Sequence, residues 1–153
     1  MLLILFKIGR ERYALASHHI VEIAPYLLPE KLVAQPNFVP GVINYRGAKV
    51  PVIDLGAMLA NKPCRPRLST RIILINYANL AAKLSSRVIG LLVEEVNESV
   101  QVNNPDALHT AKAGAEATGG KQYINADLVG QKMLQLFEPN KFLPASMLGN
   151  LTP

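Results

Sequence analysis

The sequence predicts an all-β domain with a few short helices, on three observations. Its apolar runs are short, many of them alternate with polar residues, and most are rich in Val, Ile, Leu and Tyr and bounded by Gly, Pro or Asn. Brief strands with frequent turn punctuation indicate barrels or sandwiches. A chain of 153 residues, 50% of them apolar, suits one compact unit or two small lobes sharing a core, and residues 1–153 are read as one domain.

Taken in order, Leu2–Ile8 reads as a first strand, followed by a Gly9-Arg10-Glu11 turn and a second strand over Arg12–Ala16. His18–Ile23 reads as one helical turn. Val42–Arg46, Lys49–Ile53, Arg71–Tyr77, Val88–Val93 and Ser99–Val102 read as strands, with Gln122–Leu128 and Met133–Phe137 completing the set. Asp54 is placed to cap a short helix, Leu55–Ala60, that stops before Asn61-Lys62-Pro63. Pro139–Leu148 reads as a C-terminal helix disturbed by Pro144. Asn61–Ser69, Asn79–Arg87 and the Ala/Gly/Thr-rich Ala111–Gly120 read as loops.

Composition excludes several classes. Cys64 is the sole cysteine, which rules out an intrachain disulfide and points to a reducing compartment. No run approaches the ~18 apolar residues of a membrane helix. Leu2–Phe6 is stopped by Lys7 and has no basic leader, so it is read as a strand rather than a secretory signal. Charge is uneven: residues 1–90 carry 12 Lys/Arg against 4 Asp/Glu, hence +8, whereas residues 91–153 carry 4 against 7, hence −3. Between Arg46 and Arg87 eight basic residues face Asp54 alone. That asymmetry points to an acidic partner: a protein surface, nucleic acid or an anionic membrane.

The segment Gly41–Asp54 carries the most information. Gly47-Ala48 suits the centre of a type II′ turn, which would set Arg46 opposite Lys49, Tyr45 opposite Val50, Asn44 opposite Pro51 and Ile43 opposite Val52. Alternation then turns Ile43, Tyr45, Val50 and Val52 inward and Asn44, Arg46, Lys49 and Pro51 outward. Like charges directly opposite cost stability, so their outward placement suggests a binding use. Pro51 lacks an N–H and marks its strand as an edge.

Here the sequence resembles a known family. Ile43-Asn44-Tyr45-Arg46-Gly47 followed by Val50-Pro51-Val52-Ile53-Asp54-Leu55 is similar to the Asn-(Leu/Tyr)-Arg-Gly and Val-Pro-(Val/Ile)-(Val/Ile)-Asp-Leu core of the CheW-like domain family. Phe6–Gly9 with Tyr13-Ala14-Leu15 resembles its opening hairpin, Ile20–Ile23 its Val-x-Glu-Ile segment, Pro36–Asn44 its Pro-x-Phe-(Ile/Val)-x-Gly-Val-x-Asn segment, and Ile89–Val96 its Val-Gly-x-x-Val-Asp-x-Val segment. The resemblance runs over roughly residues 2–143.

The resemblance implies two interlocked five-stranded, SH3-like β-barrels with a groove between them. It implies a cytoplasmic, non-enzymatic adaptor, without cofactor or small-molecule substrate, that couples the tips of chemoreceptors to a CheA-type histidine kinase and meets the membrane only through those receptors. On it, Asn44, Arg46, Gly47, Ile20 and Glu22 are expected at the receptor contact, and Gly90 and Val96 at the kinase or partner interface, where Lys49 of the hairpin is also placed. The sequence departs from the family at Glu94 (usually Asp), at Gly56 (often Arg), at Asn125-Ala126 after Tyr123-Ile124, and at Leu136–Pro139 in place of Leu-Asp-Leu. These changes suggest a divergent branch serving a swimming, pilus or surface-sensing array.

Rival sites are poorly supplied. His18-His19 has no Cys or carboxylate set to complete a metal site, and His109 has no spacing relation to the pair. Cys64, between Pro63 and Arg65, lies where Arg65 and Arg67 would lower its pKa, but has no evident base beside it and reads as an incidental loop cysteine. Glu94 and Glu95 read as neighbours on opposite strand faces, and no phosphate-cradling glycine motif is present. The alternative class is a small β-barrel that binds single-stranded nucleic acid through the basic 46–87 stretch. It lacks Trp, and Tyr45, the aromatic adjoining the start of that stretch, is expected to point inward.

Overall fold

The computed structural model describes residues 1–77, 88–102, 123–124 and 134–143. Among these residues ten strands run in the order β1 (Leu2–Ile8), β2 (Glu11–Ala16), β3 (Ile20–Pro25), β4 (Gly41–Tyr45), β5 (Ala48–Asp54), β6 (Arg71–Asn76), β7 (Val88–Val93), β8 (Glu95–Gln101), β9 (Tyr123–Ile124) and β10 (Leu134–Leu136). Two short helices, α1 (Leu55–Ala60) and α2 (Pro139–Phe142), accompany them. The strands form two five-stranded sheets, β8-β1-β2-β10-β9 and β3-β6-β7-β5-β4. The chain leaves the first sheet after β2, builds the second through β7, and returns at β8, so the two are interlocked.

Alternation explains the two cores. In β1 and β2, Leu3 pairs with Ala16 and Leu5 with Ala14; all four join Val102, Leu134 and Leu136 in a small core. The opposite face of the same hairpin presents Phe6, Ile8, Tyr13 and Leu15 to the larger core, built on Val50, Val52, Ile72–Ile75 and Ile89–Val93. Phe6 stacks on Tyr13 with centroids 5.4 Å apart, and Phe137 meets Phe6 edge-on at 6.1 Å. Every residue of Ile72–Ile75 and Ile89–Val93 is buried, as continuous apolar runs on central strands require. Gly90 belongs to this packing: a Cβ there would lie 2.8 Å from Ile72 Cγ2.

Most expected elements stand, and four expectations are corrected. Ser17–His19 is one 3₁₀ turn, and Ile20–Pro25 is a strand paired with β6 rather than a continuation of a helix, because its β-branched residues gain a ladder there. β8 begins at Glu95, not Ser99; a bulge at Asn97, between the Leu5–Glu98 and Phe6–Val96 pairs, interrupts the alternation that would have revealed it. Glu94 stands at the bend before β8, where Oε2 accepts the Gly9 N–H at 3.0 Å and fixes the β1–β2 turn, so Glu94 and Glu95 do not share one strand. Pro51 is buried and β5 is interior, between β4 and β7. The parallel β5–β7 ladder starts at Val52, directly after the proline. The expected loops over residues 79–87 and 111–120 lie outside the described residues, as do most of 122–128 and 144–148.

Asp54 caps α1 as expected, and does more. Its Oδ1 accepts the Ala57 N–H at 3.1 Å, and both carboxylate oxygens accept the Cys64 N–H at 3.1 and 3.2 Å. Its own N–H donates to the Phe38 carbonyl at 2.7 Å. Asn61 ends the helix at φ 56°. Replacing Asp54 with Ala removes the cap and leaves two amides unpaired in a buried setting, so the variant should lose about 2–4 kcal/mol. Urea denaturation measures this, and a loss below about 0.5 kcal/mol would show that the carboxylate does not organise the segment.

Candidate docking site

The β4–β5 hairpin turns through Arg46 and Gly47, at φ 49° and 80°, not through Gly47-Ala48. Two consecutive residues in the left-handed region make a type I′ turn. Tyr45 therefore pairs with Ala48, Asn44 with Lys49 and Ile43 with Val50. The expected Arg46–Lys49 opposition does not form. The sorting of faces survives near the tip, since the partner shift preserves alternation: Ile43, Val50 and Val52 are buried, Asn44 and Lys49 exposed, but Pro51, expected to face outward, is buried. Tyr45 is only half-buried, at the rim of the core.

What the tip does is set by a strand 20 residues upstream. Tyr45 donates its hydroxyl to Glu22 Oε2 on β3. Arg46 Nη2 lies 3.7 Å from the same oxygen, and its guanidinium sits 5.2 Å from the Tyr45 ring centroid. The hydrogen bond to Glu22 holds the Tyr45 hydroxyl protonated above the ordinary phenol range. Lys49 Nζ lies 4.0 Å from Glu30 Oε2. β3 and β4 are opposite ends of their sheet, four spacings or ~19 Å apart if it were flat. Their side chains touch, so the sheet curls and its two outer strands meet at this end.

The outer strands differ in protection. β4 is covered by Glu30, which exchanges two backbone hydrogen bonds with Val42. β3 has no backbone partner on its outer side among the described residues, and exposes Val21 and Ile23 on either side of Glu22.

Of the residues singled out in the sequence, Asn44, Arg46, Gly47, Lys49 and Glu22 gather at this end of the second sheet and are exposed. Ile20 is half-buried at the start of β3, packed on the larger core. Gly90 is buried in the centre of the sheet and offers no surface. Val96 is half-buried on β8, away from the hairpin. The link from Glu22 to Tyr45 was not evident in the sequence, since only pairing across a curled sheet brings them together. His18 and His19 stack with ring centroids 4.0 Å apart, and burial lowers the pKa of His19. Among the described residues no group of three or more His, Cys, Asp or Glu is placed to hold a metal ion. No helix is long and apolar enough to cross a membrane, again among those residues.

Cys64 is not an incidental loop residue. It is buried, and its Sγ donates to the Leu92 carbonyl at 3.5 Å. Burial, reinforced by the Asp54 carboxylate, pushes the thiol pKa up, opposite to the expected influence of Arg65 and Arg67.

Such an arrangement defines a β-sheet domain with a polar hairpin end beside a strand edge that is open among the described residues. The chain belongs to the CheW-like domain family, whose model matches residues 2–145. It is 33% identical over 104 residues to "Chemotaxis protein CheW" of Rhizobium meliloti (strain 1021), covering 68% of this chain and 63% of that protein. It is 26% identical over 140 residues to the protein of the same name from Klebsiella aerogenes, covering 92% and 80%. "Protein FrzA" of Myxococcus xanthus is 29% identical over 87 residues, covering 56% and 54%. In structure the chain is similar to the scaffolding protein TtCheW from Thermoanaerobacter tengcongensis, with a TM-score of 0.72 at 21% identity over 90% of this chain and 83% of that one.

Three expectations follow. Arg46 holds a left-handed conformation that costs a non-glycine residue ~1 kcal/mol, and Asn-Gly is the preferred type I′ pair. Arg46→Asn should therefore raise the melting temperature slightly; a fall would contradict the turn assignment. The Cys64 thiol should resist modification by a thiol reagent in the native protein at neutral pH and react fully once denatured. Its raised pKa contributes stability that is complete below the ordinary thiol value of 9.0 and is lost at higher pH. The raised phenols of Tyr45 and Tyr77 act in the same direction above 10.0. A melting series should decline through this alkaline range, and a flat series would contradict the assignment.

Proposed function

We propose that this chain is a non-enzymatic adaptor that couples chemoreceptors to a CheA-type histidine kinase in a chemosensory array. One observation carries the reading. Two family-like segments, Ile20–Ile23 and Asn44–Gly47, converge on a single exposed site through the Tyr45–Glu22 hydrogen bond and the Arg46–Glu22 ion pair. The receptor contact comprises Asn44, Arg46, Gly47 and Glu22 with the open β3 edge. Ile20 acts from beneath, by seating the start of β3. The kinase contact lies elsewhere on the domain, with Val96 at its margin and Gly90 acting through packing. Function then resides in holding two partners at fixed positions, so that receptor state biases kinase state. The adaptor works in the cytoplasm and reaches the membrane through receptors.

Arg46 separates binding from folding cleanly. Its side chain is 78% exposed and that of Glu22 44%, so their ion pair contributes little to stability. Arg46→Glu should leave the melting temperature within about a degree of wild type, yet weaken binding to a purified receptor cytoplasmic tip by at least about tenfold. Retained receptor binding by the folded variant would overturn the reading.

A further inference from the structure

A second surface lies along β3, three residues beyond Glu22. There Pro25 pairs with Arg71 of β6, and the 61–70 loop stands beside them. Together they form an open groove of about 530 Å³ lined by Pro25, Tyr26, Pro66, Arg67, Leu68, Thr70 and Arg71.

The groove is pre-organised. Thr70 Oγ1 accepts the Arg67 N–H at 2.9 Å and donates to the Arg65 carbonyl, and the Thr70 N–H donates to the Arg67 carbonyl at 3.1 Å. Arg71 Nη1 donates to the Leu68 and Thr70 carbonyls. Pro63 and Pro66 stiffen the loop, and the Asp54 carboxylate anchors it at Cys64. A loop tied at this many points holds its shape before any partner arrives.

Two features of this rigid loop and the adjoining Arg71 remain available to a partner. Leu68 is 98% exposed, an apolar side chain held in water at the groove's rim. Arg65, Arg67 and Arg71 have no carboxylate partner among the described residues, whereas Arg46 and Lys49 at the hairpin each have one. From Leu55 to Val93 the sequence has no Asp or Glu at all, and the nearby Asp54 carboxylate is taken up by the Ala57 and Cys64 amides rather than by these cations.

We infer that this groove docks an acidic segment of a partner protein, with carboxylates on Arg67 and Arg71 in the groove and on Arg65 of the loop beside it, and an apolar side chain against Leu68 and Tyr26. Charge complementarity selects the acidic occupant. A fixed, exposed leucine against proline and tyrosine walls selects an apolar anchor, which a phosphate backbone does not offer. The inference rests on the adaptor reading only in choosing protein over nucleic acid, and its test does not pass through Arg46.

The test titrates full-length protein against labelled short peptides rich in Asp and Glu, each carrying one leucine at a different position. Controls replace that leucine with serine, and a poly-dT oligonucleotide is run in parallel. The expected result is binding of a leucine-bearing acidic peptide that weakens with added salt, weakens with the serine control, and falls by at least about tenfold in Arg65→Glu/Arg67→Glu and in Leu68→Asp. All three positions are exposed, so both variants should melt as wild type does. Arg46→Glu should bind these peptides unchanged, so failure of the receptor reading and failure of this one separate. Absence of peptide binding by the wild type, or equal binding by the folded variants, overturns the inference. Tight binding of the oligonucleotide alone replaces it with a nucleic-acid site.

Discussion

The fold depends on one hairpin being buried on both faces. β1 and β2 divide their side chains by simple alternation, small-core residues to one side and large-core residues to the other. That hairpin is the shared wall of both sheets. It explains why the chain must come back from β7 to β8: β1 needs a second neighbour, and β8 supplies it along the edge opposite β2. The Phe6–Tyr13 stack and the Phe137 edge contact lock the wall from the larger-core side. Aromatic pairs add directional preference to area burial, so they fix how β1, β2 and the segment after β10 present their shared face to the larger core.

Within the second sheet, Asp54 is the joint. It ends β5, caps α1, holds the 61–70 loop at Cys64, and ties to the segment before β4 through Phe38. One carboxylate thus connects the strand that returns from the polar hairpin tip with the loop that carries Arg65 and Arg67. A buried carboxylate with several amide donors is a rigid connector, because each lost hydrogen bond would leave a polar group unsatisfied. The two surfaces are therefore fixed relative to each other by the interior of the sheet.

The sequence made much of this legible, for physical reasons that can be traced. Central strands such as Arg71–Asn76 and Val88–Val93 stood out because burial on both faces demands unbroken apolar runs. The α1 boundaries were readable because Asp54 and Asn61 are local signals that act within one turn of helix. The hairpin's faces were readable, but its turn was not. Moving the turn from Gly47-Ala48 to Arg46-Gly47 changes every partner yet leaves alternation intact, and choosing Arg46 for a left-handed position runs against its intrinsic preference. Pro51 misled in the same way, since a proline signals a missing ladder bond without saying which neighbour goes unpaired. The meeting of Glu22 with Tyr45 was beyond reach because it follows from sheet curvature, a property of the whole strand set. The family resemblance had marked both segments but supplied no bond between them.

A strained arginine at a turn where asparagine would fit better is the kind of local inconsistency that marks function. The rest of the charge distribution sharpens the point. At the hairpin tip, each cation has an acidic neighbour: Arg46 has Glu22, and Lys49 has Glu30. Those pairs fix side-chain positions while lowering the local field, which favours a geometrically exacting contact over long-range attraction. On the 61–70 loop the cations stand without such partners among the described residues, so the field there extends into solvent and can steer an oppositely charged partner. On the readings proposed above, the same sheet offers one surface suited to recognition by shape and one suited to attraction by charge. β3 borders both, with Glu22 at one and Pro25 at the other, so the strand and the Asp54 joint together set the spacing between the two surfaces.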